Sequence, residues 1–232
     1  MPSLRGRLAN ALVRTVIKHW PANDSGAMVR RARKVFGRPQ IFASRHTRGI
    51  TIEPVESDIR GEWLSPVQMR FPDSVLLYFH GGGYVSCSAK GHRPITAALA
   101  RRIGCRVFSL DYRLAPEYPF PAASDDALNA FQWLVKSGIK PEKIALAGDS
   151  AGGGLVVATL VRLRDQGMQL PACAAGISPW VDLSGEYAVT NQDSCAMFFP
   201  QDGLAFARIY LNGASGRSQL ASPLLTDLRG LP

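Results

Sequence analysis

A serine lies at the centre of a short motif flanked by glycines. Residues 148–152 read Gly-Asp-Ser-Ala-Gly and have the form G-x-S-x-G. In that pattern the serine occupies a sharp turn from a strand to a helix, and very small residues two positions away let the two backbones pass closely. An ordinary turn with a helix-capping serine is the alternative. The apolar segment before the motif and the glycines after it favour Ser150 as a nucleophile, with Gly148, Asp149 and Gly152 supporting the turn.

Three consecutive glycines occur about seventy residues before that serine, in the sequence His-Gly-Gly-Gly-Tyr at residues 80–84. Glycine runs cost chain entropy, so we expect a backbone requirement, namely N–H groups turned toward an anion. An attacked ester carbonyl becomes an oxyanion, which donors at about 2.7–3.1 Å stabilise. We predict that the donors are the N–H groups of Gly82, Gly83 and Ala151, while His80 and Gly81 shape the turn. The run lacks the Lys-Ser/Thr of a P-loop and the spacing of a dinucleotide fingerprint.

Short apolar segments alternate with amphipathic ones from residue 50 onward. The unbroken apolar run at 75–79 is typical of a strand that is buried on both faces. We predict strands at 50–55, 59–64, 75–79, 106–110, 144–147 and 172–177, and helices at 94–103, 122–135 and 153–165. The first two strands are expected to be antiparallel neighbours. The later alternation predicts right-handed crossovers and a mostly parallel sheet flanked by helices.

The first 45 residues are predicted to form two amphipathic helices that precede the sheet. The first is expected to run to Trp20, before Pro21, and the second to begin after Asn23 and Asp24. Residues 1–48 carry eleven Lys or Arg and one Asp, so the net charge of +9 is concentrated there. Attraction to anionic lipid or nucleic acid is one interpretation. We favour a solvated helix face, because apolar residues accompany the arginines at helical spacing and no nucleic-acid motif is present.

The cysteines and the apolar segments argue against metal binding and membrane insertion. The four cysteines are far apart, without a C-x-x-C pair: Cys87, Cys105, Cys173 and Cys195. We predict free thiols in a reducing compartment and no metal site. Basic residues interrupt the apolar positions of the first twenty residues, and no run is long enough for a membrane span. The expectation is a cytoplasmic protein without integral membrane contact and without a nucleic-acid partner.

Four motifs occur together in this chain. They are the glycine run at 80–84, Asp-Tyr-Arg-Leu-Ala-Pro-Glu at 111–117 with Phe-Pro at 120–121, Gly-Asp-Ser-Ala-Gly-Gly at 148–153, and Ser-Pro-Trp-Val-Asp at 178–182. Together they resemble the hormone-sensitive-lipase, or bacterial family IV, esterases. The resemblance implies an α/β-hydrolase core at 46–232 with a helical cap at 1–45. It also implies hydrolysis of short to medium acyl esters without a cofactor, and it allows a homodimer.

The 111–117 motif is polar enough to be mistaken for a site. It follows a different strand from the serine motif, and its prolines make it a rigid turn. We therefore expect a structural role for it, with Arg113 and Glu117 as an ion pair.

A serine nucleophile needs a base, and the base needs an acid that holds it. In the α/β-hydrolase fold the chain order is Ser, then Asp or Glu, then His. All four histidines precede Ser150: His19, His46, His80 and His92. His80 is the best substitute, although we favour a role in shaping the glycine turn. Asp182 belongs to a turn, and Asp227 precedes the strand on which the resemblance places the acid.

We therefore expect a C-terminally truncated chain whose last strands and triad Asp and His lie beyond its end, and whose activity is lost or impaired. A non-catalytic small-molecule-binding protein of the same fold is an alternative. An acyltransferase or amidase is another, because the nucleophile and the oxyanion hole are shared among these activities.

Overall fold

The computed structural model describes residues 3–16, 18–37, 46–186 and 195–232. Its α-helices in these ranges are α1 (Leu4–Val16), α2 (Ser25–Phe36), α3 (Ala89–Leu99), α4 (Ala122–Lys136), α5 (Ala151–Asp165) and α6 (Pro200–Leu211). Its strands are β1 (Ile50–Glu56), β2 (Arg60–Pro66), β3 (Val75–Phe79), β4 (Arg106–Leu110), β5 (Ile144–Asp149) and β6 (Cys173–Ile177). A π-helical turn at Ala100–Gly104 extends α3, and 3-10 turns lie at Pro141–Lys143 and Pro223–Leu225.

The six described strands form one sheet in the order β1-β2-β4-β3-β5-β6. Pairing is antiparallel for β1 with β2 and for β2 with β4, and it is parallel from β4 through β3 and β5 to β6. Phe79 lies opposite Gly148 in the register of β3 and β5. The carboxyl ends of these two strands therefore lie side by side. Among the described residues β6 is an edge strand, and Ile177 is 50% exposed.

Apolar side chains cover both faces of the central strands, because all five residues of β3 are buried. On one face, Leu77 and Phe79 belong to the large core cluster that also contains buried residues of α4 and α5. On the other face, Leu76 and Tyr78 pack in a smaller cluster with Ala97 of α3. The predicted α/β architecture, a mostly parallel sheet flanked by helices, is confirmed.

Every predicted strand is present, but two predicted helix boundaries are wrong by more than two residues. Helix α3 begins at Ala89 and not at Pro94, because the hydroxyl of Ser88 accepts the N–H of Gly91 and caps the helix five residues earlier. The first helix is described to Val16 and does not continue to Trp20, since Pro21 disfavours helical backbone in the residue before it. Helix α6 was not predicted.

Helix α2 lies beside α6. Helix α2 is capped by Asp24, whose carboxylate accepts the N–H of Ala27, and α2 contacts α6 through a buried face that includes Met28. Helix α1 lies at the surface with its leucines exposed, including Leu8 at 63%. The predicted boundary between cap and core, at residue 45, adjoins residues 38–45, which lie outside the described residues.

None of the helices within the described ranges combines the length and the apolar character that a bilayer crossing needs. All four cysteines are free. In the same part of the chain, no three His, Cys, Asp or Glu side chains converge in the manner of metal ligands.

The close approach at the start of α5 predicts a large difference between two glycine substitutions. A Cβ at Gly152 would overlap the carbonyl oxygens of Phe79 and His80, whereas a Cβ at Gly203 in α6 would meet nothing within 4 Å. We expect Gly152→Ala to lower the free energy of unfolding by about 3 kcal/mol, because backbone cannot move aside cheaply. Gly203→Ala should change it by about 1 kcal/mol or less, in the stabilising direction. Urea unfolding measures both, and equal effects would contradict the packing argument.

Candidate active site

Ser150 lies in a strained turn between β5 and α5. Its backbone has φ 50° and ψ −118°, a conformation that L residues adopt at a cost of about 1–3 kcal/mol. The surrounding backbone holds it there. Its N–H donates to the carbonyl of Ile177 at 3.0 Å, and its own carbonyl accepts the N–H groups of Trp180 at 2.8 Å and Gly154 at 3.1 Å. The turn is therefore fixed from both β6 and α5.

Glycines let the turn sit against the end of β3. A Cβ at Gly148 would overlap the backbone of Gly152, and a Cβ at Gly152 would overlap the carbonyl oxygen of Phe79. Both glycines thus have the close backbone neighbours that the G-x-S-x-G pattern requires. The serine turn and the loop after β3 are consequently in direct contact.

Asp149 links that loop to the serine turn. Its Oδ1 accepts the hydroxyl of Tyr78 at 2.8 Å and the N–H of Gly81 at 2.9 Å, and it lies 3.4 Å from Nε2 of His92. Burial alone would raise the pKa of Asp149, but the hydrogen bonds from His92, Tyr78 and Gly81, with the charge interaction of His92, hold that pKa below its usual value. Asp149 is an anion that fastens the start of the glycine loop one residue before Ser150.

No pattern in the sequence indicates Tyr78 or His92 as partners of that carboxylate. His92 is the fourth residue of α3. Tyr78 belongs to a strand that is buried throughout, so the sequence pattern does not single it out. Tyr78 reaches Asp149 because the sheet places β3 beside β5, and His92 reaches it from α3.

The glycine loop adopts the left-handed backbone that glycine permits. Gly82 has φ 121° and Gly83 has φ 62°. The carbonyl of Gly82 accepts the N–H of Ser86 at 3.1 Å, which closes the loop into a turn. Within the described residues, the N–H groups of Gly82, Gly83 and Ala151 are paired with no acceptor. These three donors lie on two adjoining loops and are free to bind an oxygen anion.

His80 is occupied within the loop. Its Nδ1 lies 2.7 Å from the carbonyl oxygen of Gly81, its ring stacks on Tyr112 with centroids 4.2 Å apart, and it is buried. Burial lowers the pKa of His80 to about 3, and the charge interaction with the nearby His92 contributes a smaller lowering. The ring is therefore neutral near pH 7. His19 and His46 are exposed. Across the ranges that the structure describes, no histidine is hydrogen-bonded to the hydroxyl of Ser150.

The two acids considered for the triad, Asp182 and Asp227, are engaged elsewhere. Asp182 accepts the backbone N–H of Ser184 at 2.8 Å inside its own turn. Asp227 is at the surface, where hydrogen bonds from Arg229 lower its pKa. Among the described residues, neither carboxylate forms a hydrogen bond or ion pair with a histidine.

The predicted ion pair between Arg113 and Glu117 is wrong. Arg113 pairs with Asp126 of α4 at 2.7 Å, and its backbone N–H donates to the same carboxylate at 2.8 Å. Glu117 instead pairs with Arg33 of α2 at 2.6 Å. The backbone at 111–117 is not helical, so residues four apart do not face each other, and each charged side chain reaches another element. The expected structural character of this segment agrees with these contacts.

Comparison with known proteins places this geometry in a family. A family model described as alpha/beta hydrolase fold matches residues 76–232. An acetyl-hydrolase of Streptomyces hygroscopicus is 45% identical over 173 residues, which are 74% of this chain and 57% of the relative. Human hormone-sensitive lipase is 38% identical over 113 residues, or 47% of this chain and 10% of that protein. The chain thus spans little more than half of the Streptomyces relative's length.

Solved structures agree over the whole chain. The crystal structure of an esterase from the bacterial hormone-sensitive lipase family superposes with a TM-score of 0.84 and 38% identity, covering 100% of this chain and 77% of the other. The chain belongs to the hormone-sensitive lipase family of the α/β-hydrolase fold.

Proposed function

We propose that this chain carries the nucleophile and the oxyanion hole of a carboxylic ester hydrolase that acts on short to medium acyl chains. The observation that carries the proposal is the strained Ser150 turn beside three unpaired backbone donors, those of Gly82, Gly83 and Ala151. The relative named an acetyl-hydrolase supports a small acyl group. No cofactor enters this chemistry.

The proposed reaction begins when Oγ of Ser150 attacks the ester carbonyl carbon while a base removes the hydroxyl proton. The carbonyl oxygen becomes an oxyanion that accepts the three N–H groups, each worth about 3–4 kcal/mol in the transition state. The dipole of α5 adds to this, because Ala151 is its first residue and helix N-termini favour negative charge. Collapse breaks the bond to the alcohol, which takes the proton and leaves an acyl-enzyme. Water then attacks that ester and frees the acid.

The base is not one of the histidines in this chain. His80 is the nearest candidate by position, but it is buried, hydrogen-bonded to Gly81 and neutral, with a pKa of about 3 that makes it a poor proton acceptor. His92 is paired with the carboxylate of Asp149. We propose that these 232 residues alone are impaired in turnover, and that the triad Asp and His are supplied by residues outside them.

The acyl group is proposed to lie under the N-terminal cap. Trp20 stacks on Phe36 of α2 at 5.7 Å and on Phe198 at 5.5 Å, and it meets Phe206 of α6 edge-on at 5.4 Å. The ring of Phe206 in turn lies against Gly83. This aromatic cluster therefore connects the cap with the glycine loop.

Cytoplasmic location is still a prediction, as is the homodimer that the family allows.

A binding protein of the same fold is the second candidate. It is favoured by one observation, that no described histidine bonds to Ser150. Acyltransferase and amidase activities share the proposed nucleophile and donors, so substrate tests have to separate them from ester hydrolysis.

Ser150→Ala tests the proposed nucleophile. The chain is expressed as these 232 residues and also with whatever its gene encodes after Pro232, and p-nitrophenyl acetate and butyrate are assayed. In a form that includes the base, Ser150→Ala should lower kcat by about 10⁴-fold, because triad members act as a unit. The 232-residue form should be at least about a thousand-fold slower than that form. Ser137→Ala, at the exposed end of α4, is the control and should leave the rate unchanged.

Hydrolysis that Ser150→Ala leaves unaffected in every form would refute the proposed nucleophile. Saturable binding of an ester without turnover, in every form, would support the binding protein instead.

The buried His80 predicts a pH-dependent stability. Its folded pKa of about 3 is below the unfolded value of 6.5, so the unfolded chain binds the proton more tightly. Stability is therefore lost progressively as the pH falls from 6.5 towards 3. We expect about 2 kcal/mol less stability at pH 5 than at pH 7.5 from this group. Urea unfolding at both pH values measures the loss, and it should be smaller by about that amount in His80→Gln. An identical pH dependence in the two proteins would contradict a neutral buried His80.

Trp20→Leu tests the cap. Loss of ring area in the aromatic cluster should make room for longer acyl chains. The ratio of octanoate to acetate ester hydrolysis should therefore rise at least about fivefold in an active form, given the 1–3 kcal/mol range of pocket contacts. Leu8→Ala, on the exposed face of α1, is the matched control. If both variants keep the wild-type chain-length profile, the cluster does not set acyl preference.

A further inference from the structure

Arg33 of α2 reaches the glycine loop from outside the proposed site. Its Nε donates to the backbone carbonyl of Val85 at 3.0 Å, and Val85 is only two residues after Gly83. Its Nη2 donates to the carbonyl of Ala115 at 3.2 Å. One guanidinium on a cap helix thus bonds the backbone of two core loops.

Glu117 fixes the direction of that guanidinium. Nη1 and Nη2 of Arg33 donate to its two carboxylate oxygens at 2.8 and 2.6 Å. These hydrogen bonds lower the pKa of Glu117 to about 2. The pair is partly exposed, so its charge attraction alone stabilises the fold little. The geometry of the pair matters more than its charge. The planar guanidinium of Arg33 can donate to carboxylate and carbonyl oxygens at the same time.

The two loops bonded by Arg33 are also bonded to each other. The N–H of Ala115 donates to the carbonyl of Tyr84 at 2.9 Å. Tyr84 has φ 62°, an unfavourable backbone for a residue with a side chain, and its ring is buried and stacked on Tyr210 at 3.9 Å. The exit of the glycine loop is therefore a strained segment that neighbouring contacts must hold.

We infer that Arg33 is a positioning residue for the proposed oxyanion donors. It ties helix α2 to the exit of the glycine loop, as Asp149 ties its start to the serine turn, so the placement of Gly82 and Gly83 depends on the cap. The inference rests on the proposed function for its catalytic meaning. The mechanical coupling is measurable without any turnover.

Amide hydrogen exchange in the 232-residue chain tests the coupling. The reporters are the N–H groups of Val85 and Ser86, which donate to the carbonyl of Gly82 at 3.2 and 3.1 Å. Arg33→Ala should speed their exchange about fivefold or more, while β3 and α5 keep their protection, because the opening is local. Arg30→Ala removes an exposed arginine from the same helix and should leave the loop unchanged.

Two further variants separate geometry from charge and from global unfolding. Arg33→Lys keeps the charge but lacks the planar guanidinium. It should therefore restore less than half of the amide protection that Arg33→Ala loses at Val85 and Ser86. Glu117→Ala leaves the backbone acceptors of Arg33 in place and should give a smaller increase than Arg33→Ala. Unchanged loop exchange in both Arg33 variants, or an equal increase in Arg30→Ala, would overturn the inference. Full protection with lysine would also overturn it.

Kinetics in an active form then test the catalytic meaning. Arg33→Ala should lower kcat for p-nitrophenyl acetate about tenfold with KM nearly unchanged, because misplaced donors weaken transition-state binding more than substrate binding. An equal loss through KM alone would contradict positioning. If loop exchange responds to Arg33 while Ser150→Ala has no effect on hydrolysis, the proposed function fails and the coupling stands.

Discussion

The first turn of α5 lies against the end of β3 at a distance that only glycine permits. A side chain at Gly152 would overlap the carbonyl oxygens of Phe79 and His80. The parallel register, with Phe79 opposite Gly148, brings the same two chain segments together from within the sheet. Everything proposed for the site depends on this contact, because it sets Ser150 beside the loop that carries the donors. Backbone contacts set the position of Ser150 relative to the glycine loop, and side-chain hydrogen bonds then stabilise that position.

Asp149 is the electrostatic counterpart of that backbone contact. A carboxylate that is largely removed from water is costly unless hydrogen bonds compensate it, and here Tyr78, Gly81 and His92 do so. Those partners keep the pKa of Asp149 low, so its charge persists at neutral pH. Only the first glycine of the run is used to satisfy it. The N–H groups of Gly82 and Gly83 do not contact this carboxylate and are the proposed donors to a substrate oxygen.

The sequence predicts the strands well for a physical reason. A strand buried on both faces, such as Val75–Phe79, must be apolar throughout, and glycines are needed where backbones touch. Side-chain partners are less predictable, because they depend on which loops meet in space. The spacing of Arg113 and Glu117 suggested a pair, yet their partners come from α4 and from α2. The same limit explains why His92 was not expected beside Asp149, although Asp149 itself was assigned to the motif.

Oxyanion stabilisation and proton transfer are separable in this architecture. The contacts that hold the proposed donors involve backbone, Asp149 and Arg33, and within the described chain none of them uses an imidazole bonded to Ser150. The proposed donors are therefore held by contacts that form as the sheet and helix α2 fold, without the base. Serine hydrolases that lose a triad member retain a rate roughly 10³–10⁴-fold above that in water from the oxyanion hole and binding alone. A chain with this glycine loop and this serine turn should keep the contribution of the proposed oxyanion hole, because folding already orients the donors.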